Sequence, residues 1–487
     1  MSRLKGLTPE NVFGFFEELC GIPHGSYYID AISDHLAAFA RKRDLKCVQD
    51  EQKNIVIYLD ATPGYEKEPV LVLQGHMDMV AVSDDGRDMK KVPVEVTHDD
   101  AYVFARGTSL GGDDGIAVAM MMAIADDPSI PHPALDLLIT TNEEVGMDGA
   151  VGLDPGLLRG SRFLNLDSED EGIFTVGCAG GVRVVAKMRF TAEKTGASDI
   201  GKEIVVSGGL GGHSGQMIGL GRANANRILG RILLELSKET AVRLTTIGGG
   251  TAANAIPGEA SMTVAADAAD ADALERILNR VSAEIRHEYH GKDDGLRILW
   301  KDAKTDPDGI GREDTKRLAA YLIAQPDGVQ AMSGVVDGLV ETSLNLGILR
   351  TERVEKEAVI TAQYELRSMI GSAAMALKDR VTAIIRAFGF EAEVSSSYPE
   401  WEYREESPLR EKMIRIWKEM YGKDPVVEVI HAGLECGVLA KKIEGFDAVS
   451  IGPDMQDIHT TKERLSIAST ARIWDFVLRV LNDKNMI

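Results

Sequence analysis

Short apolar runs alternate with helical stretches along residues 9–185, and this alternation limits the fold more than any other feature of the sequence. Runs such as residues 70–73 and 135–140 are rich in Val, Leu and Ile, as in strands that are buried on both faces of a sheet. The helical stretches between them provide the cover for both faces. We therefore expect an α/β domain with a mixed, mostly parallel sheet sandwiched by helices.

The order of predicted strands and helices changes in the middle of the chain, which indicates a second domain inserted into the first. Residues 202–289 read as strand, helix, two strands and helix, the order of ferredoxin-like domains. A similar strand-strand-helix succession returns at residues 339–388, which favours an α+β insert with two related halves. An accidental likeness between two common layouts is the alternative. The predicted domains are residues 1–185 with 395–487, and the insert 186–394 with halves at about 186–300 and 301–394.

The charge balance disfavours several classes of partner. The chain has 54 basic and 76 acidic side chains, for a formal net charge of −22, and such a surface repels phosphate backbones and anionic lipids. The longest apolar stretch, residues 116–125, falls far short of the ~20 residues that span a bilayer. The four cysteines include no Cys-x-x-Cys pair. We therefore expect a cytoplasmic protein that binds neither nucleic acid nor membranes.

His, Asp and Glu side chains follow several predicted strands at the points where the strands end. In an open α/β sheet, ligands bind beyond these carboxyl ends. The strand ends, together with one glycine-rich loop, carry His76, Asp78, Asp113, Asp114, Glu143, Glu144, Asp167 and His459. Taken singly, Asp113 would serve as a helix cap, and Glu143 with Glu144 as a solvated pair. Taken together, so many carboxylates would repel one another strongly unless cations bind between them.

The residue types indicate which cation suits the cluster. Imidazole and carboxylate ligands without thiolates are typical of a catalytic zinc site, with manganese or cobalt as alternatives. The ligands exceed what one open tetrahedral site needs, so two metals that share a carboxylate fit better. Successive side chains leave a strand in different directions, so one of Glu143 and Glu144 can bind metal while the other faces the bound water. Asp78 can orient the imidazole of His76.

Seven motifs follow one another in an order that resembles a known family. They are Gly-His-Met-Asp-Met-Val at 75–80, Gly-Asp-Asp-Gly at 112–115, Thr-Asn-Glu-Glu at 141–144, Asn-Leu-Asp-Ser-Glu at 165–169, Gly-Cys-Ala-Gly-Gly at 177–181, Gly-His-Ser-Gly at 212–215 and His-Ala-Gly-Leu-Glu-Cys-Gly at 431–437. The set resembles the cytosolic aminoacyl-histidine dipeptidases, a branch of the two-zinc aminoacylase and carboxypeptidase superfamily. The resemblance covers essentially the whole chain, including a two-part lid domain.

The resemblance implies a role for each residue of the acidic cluster. Two zinc ions would share Asp113, the first with His76 and Asp167, and the second with Glu144 and His459. Glu143 would be the general base and acid, and Asp78 would orient His76. In this family a cis peptide follows the bridging aspartate, and the next residue is usually Asn, whereas this chain has Asp114. Because Asp114 adds a carboxylate here, the sequence does not determine the surroundings of the bridging Asp113.

The resemblance also implies that the inserted domain acts as a lid that contacts the substrate. His213 would stabilise the oxyanion, and Asn254 and Arg367 would hold the C-terminal carboxylate, a task suited to a guanidinium group. Gly433 and Glu435 lie just before or at the start of a predicted helix whose amides would face the substrate. The alternatives are a strand-end salt bridge for Arg367 and a tight turn at Gly433.

We therefore predict a metallo-dipeptidase that hydrolyses Xaa-His or β-alanyl-histidine dipeptides, with a preference that is open to a broader range. Its partner would be a small peptide substrate. One alternative is another enzyme of the same superfamily, an N-acyl amino acid deacylase or an aminotripeptidase. The alternative that is not an enzyme is a metal-stabilised binding module. The sequence leaves open whether the protein is a monomer or a homodimer, because a doubled lid can replace an interface between two chains.

Overall fold

The computed structural model describes residues 3–196, 198–304, 308–354 and 357–484. The chain forms two compact units. Unit 1 consists of Met1–Gly177, Tyr403–Val429 and Leu434–Ile487, and unit 2 of Cys178–Glu402 and Ile430–Gly433. These bounds differ from the predicted 185/186 and 394/395, because the strands Gly180–Lys194 and Glu391–Tyr398 pair with each other in the sheet of unit 2. The predicted division into catalytic and lid domains remains a prediction about their roles.

Unit 1 is built on a mixed sheet with helices. Its strands lie in the order Lys46–Gln49, Ile55–Leu59, Leu135–Thr140, Leu71–His76, Arg162–Asn165, Asp447–Ser450, Ile173–Cys178 and Val426–Ile430. The four central strands are parallel to one another, whereas Ile55–Leu59 pairs antiparallel with Leu135–Thr140. The fold class predicted from the alternating apolar runs is therefore confirmed, and the carboxyl ends of the central strands meet at one edge.

The helices of unit 1 differ in how far they are buried. They are Glu10–Cys20, Asp30–Arg41, Gly112–Asp126, Glu143–Gly146, Asp148–Gly152, Pro408–Tyr421, Glu435–Lys442 and Ile467–Asn482. Residues 112–124 of the third helix are all buried, because it carries Ala, Val, Met and Ile on every side. This helix packs between Glu10–Cys20 and the strand Leu71–His76, so its first residues lie beside the carboxyl end of that strand.

A small antiparallel sheet of unit 1 holds the loop with His459. Its strands are Met455–Gln456, Arg464–Ser466, Tyr102–Ala105 and Val96–His98, in that order. His459 lies between the first two of these strands and has a positive φ of 61°. The pairing of Met455 with Leu465 closes the loop at its base and limits where His459 can lie.

Unit 2 contains one large sheet made of two similar halves. The first half has the order Arg297–Ala303, Asp199–Ser207, Ala260–Asp267 and Arg243–Gly249, and the second has Val340–Val354, Glu357–Ser368, Gly180–Lys194 and Glu391–Tyr398. Numbered along the chain, the halves read 4-1-3-2 and 2-3-1-4, the strand order of two ferredoxin-like domains set edge to edge. The residue pair Gly249 and Leu349 joins them. Two shorter strands extend the second half. Asp308–Ile310 pairs with Gly180–Lys194, and Gly328–Met332 pairs with Val340–Val354.

The two halves do not follow one another in the chain. The first strand of the second half is Gly180–Lys194, which precedes the entire first half. In the described residues each half carries two long helices, Ala225–Glu239 and Ala271–Glu288 in the first, and Arg312–Ala324 and Gly371–Ala387 in the second; the short helix Ser214–Met217 follows His213. The helix Ala225–Glu239 shows why they pack on the sheet, since its buried residues recur every three or four positions. In the part of the chain that the structure describes, no helix combines the length and apolarity needed to cross a membrane.

Candidate active site

The predicted ligands of unit 1 come together at the carboxyl ends of its parallel strands. His76 is the last residue of Leu71–His76, and Asp167 follows the neighbouring strand Arg162–Asn165. After the strand Leu135–Thr140, Asn142 has a positive φ of 54° and turns the chain into a short helix that starts with Glu143. Parallel neighbouring strands end at the same edge of a sheet, so the backbone alone brings these side chains close together.

His76 faces two carboxylates through one nitrogen of its ring. Its Nε2 lies 3.1 Å from Asp113 Oδ1 and 3.5 Å from Asp167 Oδ1. Its Nδ1 lies 2.9 Å from the backbone oxygen of Asp78, which can only accept a hydrogen bond, so Nδ1 carries the proton. The side chain of Asp78 is farther away, with Oδ1 at 3.5 Å from Nδ1. Nε2 is therefore the ring nitrogen that faces the carboxylates and is placed to bind a metal ion.

Asp113 contacts a second histidine through its other oxygen. His459 Nε2 lies 3.0 Å from Asp113 Oδ2 and 3.0 Å from Glu144 Oε1. The two oxygens of Asp113 thus face His76 and His459 separately, which is the geometry of a bridging carboxylate. The peptide bond between Asp113 and Asp114 is cis.

Among the residues that the structure describes, three groups of potential ligands are compact enough to hold a metal ion. Their ligand atoms lie within 4.8 Å of one another in the sets His76, Asp114, Asp167; His76, Glu143, Glu144; and Asp113, Glu144, His459. Oδ1 of Asp114 is buried and has no hydrogen-bond partner. Oxygen and imidazole donors in this arrangement fit divalent cations such as zinc, manganese or cobalt.

The electrostatics of the cluster favour a bound cation. Burial and then the neighbouring carboxylates raise the pKa of Glu143 well above its ordinary value, and burial raises the pKa of Asp167 to about 6. Burial disfavours the charged form of His459, but hydrogen bonds to Asp113 and Glu144 outweigh it and raise its pKa to about 11. A positive charge at His459 partly neutralises carboxylates that divalent cations would neutralise more fully.

Two further carboxylates of unit 1 are fully or almost fully buried around the cluster. Asp78 accepts hydrogen bonds from Ser26 Oγ at 2.8 Å and from the N–H of Glu143 at 3.0 Å. Glu435 accepts from Gln74 Nε2 at 2.6 Å and from Thr140 Oγ1 at 2.5 Å, and burial raises its pKa to about 8. Glu435 therefore lies inside unit 1, and its expected contact with substrate stays a prediction.

Unit 2 contains a separate cluster of basic side chains. His213 lies on the short strand Gly212–His213, and Arg367 lies near the end of Glu357–Ser368. Arg367 Nη1 donates to Tyr398 Oη at 2.6 Å, and His431 Nε2 lies 2.8 Å from Ser343 Oγ. Burial and then the charge of Arg367 lower the pKa of both His213 and His431 to about 4. Both imidazoles are therefore neutral at physiological pH beside a permanent positive charge.

The basic cluster leaves buried polar atoms without partners. They are Nδ1 of His213, Nδ1 of His431 and Nε of Arg367. Asn254 is exposed, and its backbone oxygen accepts from the N–H of Ser214, which places it beside His213. A Cβ at Gly433 would lie 2.6 Å from the ring of Tyr398, so only glycine fits against the partner of Arg367. Unpaired donors around an arginine are typical of a site that binds an anion.

Sequence reasoning missed Glu463 and the place of His431 in the basic cluster. Glu463 accepts hydrogen bonds from backbone amides just before Asp113. Its only signal in the sequence is its position four residues after His459. His431 belongs to a motif of the resemblance, but its partner Ser343 is distant in the chain and cannot be paired with it by spacing.

Curated proteins and solved structures resemble the chain over nearly its whole length. It is 33% identical to the cytosol non-specific dipeptidase of Escherichia coli K12, over 99% of each chain. The crystal structure of aminoacylhistidine dipeptidase from Vibrio alginolyticus matches with a TM-score of 0.89 and 34% identity, over 99% of this chain and 98% of that one. Human carnosine dipeptidase 1, at 11% identity and a TM-score of 0.52 over 98% and 96%, shares the fold. Residues 200–293, in the first half of unit 2, match the peptidase dimerisation domain.

The fold and the site thus define a hydrolase of peptide bonds. The chain belongs to the M20 family of metallopeptidases, together with the E. coli and V. alginolyticus enzymes. The predictions of family, fold class and enzyme class are therefore confirmed, and the cytosolic name of the E. coli relative agrees with the predicted location.

Proposed function

We propose that the protein hydrolyses dipeptides, with a preference that includes Xaa-His and β-alanyl-histidine. The observation that carries this proposal is Asp113, whose two oxygens face His76 and His459 separately in a buried carboxylate cluster. The relatives with full-length similarity are named as dipeptidases, which supports the substrate class.

The acidic cluster is proposed to hold two divalent cations, zinc by its ligand types. The first would bind His76, Asp113 and Asp167, and the second Asp113, Glu144 and His459. When bound, such ions act as Lewis acids and make a bound water more acidic. Manganese and cobalt remain alternatives because they accept the same ligands.

Glu143 is proposed to move the proton of the reaction. Burial and the adjacent carboxylates raise the pKa of Glu143, which suits a group that must both accept and donate a proton near neutral pH. Glu143 takes a proton from the attacking water and returns it to the nitrogen of the leaving amino acid. Asp78 supports this step because it accepts the backbone N–H of Glu143.

The basic cluster of unit 2 is proposed to bind the negative end of the substrate. His213 is neutral and can donate a hydrogen bond to the developing oxyanion. Arg367 would bind the C-terminal carboxylate, with Asn254 and Gly433 beside it. The free amino group of the substrate would be attracted to the carboxylates of unit 1. These roles assign both ends of a dipeptide, and they make unit 1 the catalytic domain and unit 2 the lid.

The oligomeric state is a separate part of the proposal. The first half of unit 2 matches a dimerisation domain, and the second half repeats its strand order. We propose that the pairing of Gly249 with Leu349 makes within one chain the contact that two such domains make between chains. Sedimentation equilibrium at the mass of one chain would support this, and a homodimer would show that another surface associates.

A substrate panel tests the proposed activity. The zinc-loaded protein is incubated with β-alanyl-histidine, other dipeptides, tripeptides and N-acetyl amino acids. We expect turnover of the dipeptides. A clear preference for tripeptides or N-acetyl amino acids would instead indicate an aminotripeptidase or a deacylase. The absence of any turnover at full metal occupancy would favour the binding module.

A substitution tests the role of Glu143. Glu143→Gln should lower kcat by about 10²–10⁴-fold while two metal ions remain bound, because the metal ligands are unchanged. Glu51→Gln, at an exposed turn of unit 1, is the control and should leave kcat unchanged. Substantial activity in Glu143→Gln would overturn its assignment as the base.

A further inference from the structure

Glu463 is a buried carboxylate that no part of the proposed mechanism uses. It lies four residues after His459, between the strands Met455–Gln456 and Arg464–Ser466. Its side chain is 3% exposed and reaches the glycine-rich loop that leads into Asp113. Glu463 therefore contacts the backbone beside the proposed ligand Asp113, and it belongs to the loop that carries the proposed ligand His459.

Successive backbone amides converge on this one carboxylate. Oε2 accepts from the N–H of Leu110 at 2.8 Å and of Gly111 at 3.2 Å. Oε1 accepts from the N–H of Gly112 at 2.8 Å, and the N–H of Asp113 lies at 3.5 Å. Both oxygens of Glu463 are therefore engaged with the residues that immediately precede or include the bridging aspartate.

The loop has the conformation that this convergence needs. Gly111 has a φ of +73°, and a Cβ there would lie 2.8 Å from Met79 Sδ. Asp113 itself is not helical, with φ −83° and ψ 104°, although the helix continues beyond it. The regular hydrogen bonds of a helix therefore do not fix the backbone at Asp113, and the contacts with Glu463 supply this restraint.

A carboxylate suits this position better than a neutral side chain. Backbone amides at the start of a helix carry partial positive charge and attract an anion. A glutamine would offer one acceptor oxygen, and its NH₂ group would face the other amides. An additional negative charge beside an acidic cluster is unfavourable unless it is hydrogen-bonded in this way.

We infer that Glu463 is a positioning residue for the metal centre. It fixes the backbone from which Asp113 presents its two oxygens, and it ties that backbone to the loop that carries His459. This inference rests on the proposed two-metal site, and it adds a residue that acts on Asp113 and His459 without touching metal or substrate.

The test measures metal binding by Glu463→Gln without relying on activity. Metal-free protein is titrated with Zn²⁺ by calorimetry, and the visible absorption spectrum of the Co²⁺-loaded protein is recorded. We expect the affinity for metal to fall by about 10–100-fold, as for other groups that orient metal ligands. The Co²⁺ absorption band should shift, because the geometry at Asp113 changes. At saturating zinc, kcat should fall more than KM rises.

Asp136→Asn is the matched control. Asp136 is also a fully buried carboxylate of unit 1, and it accepts from the N–H and Nε of Arg159 at 2.6 and 2.7 Å. It lies near the start of the strand Leu135–Thr140, away from the carboxyl end with the cluster. This variant should lose thermal stability but keep the zinc affinity and Co²⁺ spectrum of the unchanged protein.

The outcomes separate this inference from the proposed function. The inference would be overturned if Glu463→Gln bound two equivalents of zinc with unchanged affinity and kept the wild-type Co²⁺ spectrum. A lower melting temperature alone would show only a structural role. If the unchanged protein itself does not bind two equivalents, the proposed metal site fails instead. If Glu463→Gln does not fold by circular dichroism, Glu463→Asp decides, because it keeps the charge but is one methylene shorter. Weaker zinc binding by Glu463→Asp supports positioning, and unchanged binding overturns it.

Discussion

Unit 1 and unit 2 each bury polar atoms without partners, but the electrostatics of the two clusters are opposite. In unit 1, burial and neighbouring carboxylates raise the pKa of Glu143, and burial raises that of Asp167 to about 6. In unit 2, burial and the charge of Arg367 lower the pKa of His213 and His431 to about 4. The acids Glu143 and Asp167 resist ionisation in the cluster of unit 1, and the bases His213 and His431 resist protonation in the cluster of unit 2.

The difference indicates what each cluster binds. Buried carboxylates close to one another become more stable when a cation neutralises them, and a buried arginine beside neutral imidazoles becomes more stable when an anion neutralises its charge. A dipeptide has a positive and a negative end, and the metal ions add positive charge that unit 1 needs. The same physical argument, applied with opposite sign to the two clusters, supports the proposed function of a metal-dependent dipeptidase.

Metal removal should have the largest effect, and it concerns unit 1. Chelation should reduce dipeptide turnover to background and lower the melting temperature, because the carboxylates then repel one another without a cation. A ligand at 1,000 times its Kd contributes about 4 kcal/mol to stability. Differential scanning calorimetry before chelation, after it and after zinc is restored measures this change. Full turnover by the metal-free protein would contradict the proposed role of the acidic cluster.

Arg367→Ala should have the next largest effect, and it concerns unit 2. Losing a charge-assisted hydrogen bond of about 1.5–3 kcal/mol should raise KM for dipeptides by about 10–100-fold. The KM for dipeptides with an amidated C-terminus should change little in this variant, because these substrates have no carboxylate for Arg367 to bind. Steady-state kinetics with both substrates measures this difference. Arg183→Ala is the control, since Arg183 pairs with Glu365 at 2.9 Å on the neighbouring strand. An equal effect on both substrates would contradict carboxylate binding.

The acidic cluster was predictable because the backbone places most of it. His76, Glu143 and Asp167 end or follow neighbouring parallel strands, and such strands always end at the same edge. His459 was included because it follows the predicted strand at residues 448–451, although its loop belongs to a separate small sheet. Glu463 could not be predicted, because it acts on backbone amides and amides have no sequence signal.

The arrangement of unit 2 shows a different limit. The predicted elements over residues 202–289 and 339–388 correspond to strands and helices of the two halves. The strands Gly180–Lys194, Arg297–Ala303 and Glu391–Tyr398 and the helix Arg312–Ala324 were not predicted, and neither was the assignment of the strands to halves. The strand Gly180–Lys194 completes the second half although the whole first half separates it from its partner Glu357–Ser368. Which strands pair is decided by contacts between distant residues, and local propensity carries little information about them.

The stability of unit 2 should depend on the protonation of His431. Its pKa is about 4 in the folded protein against 6.5 ordinarily, so the unfolded chain binds the proton more readily between these values. Stability should therefore fall as the pH decreases from about 6.5 to 4. His431→Gln should reduce this loss by at most about 3 kcal/mol.

Urea unfolding at several pH values between 4 and 8 measures this effect. Ser343→Ala is the control, because it removes the hydrogen bond to His431 but keeps the imidazole that titrates. It should lower stability at every pH and leave the slope with pH unchanged. If the stability of His431→Gln and of the wild-type protein changes with pH at the same slope, the basic cluster does not suppress the protonation of His431.

Asp114→Asn should have the smallest effect, and it decides how many carboxylates of unit 1 serve the cations. Asp114 is fully buried, and its Oδ2 accepts from the N–H of His76 at 3.2 Å. Burial raises its pKa well above the ordinary value, and an asparagine has nearly the same size and shape as this side chain. We expect kcat to change by less than about threefold and two zinc ions to remain bound, because an asparagine oxygen can accept the same hydrogen bond.

Asp114→Ala is the comparison for this variant, since it leaves the N–H of His76 without its partner. That loss should destabilise the protein by about 1–3 kcal/mol. Asp114 also lies close enough to His76 and Asp167 to be a ligand itself. If Asp114→Asn lost one zinc ion or more than about tenfold in kcat, the carboxylate would be bound to metal rather than to the backbone. The acidic cluster would then neutralise its cations with one carboxylate more than the bridging arrangement around Asp113 requires.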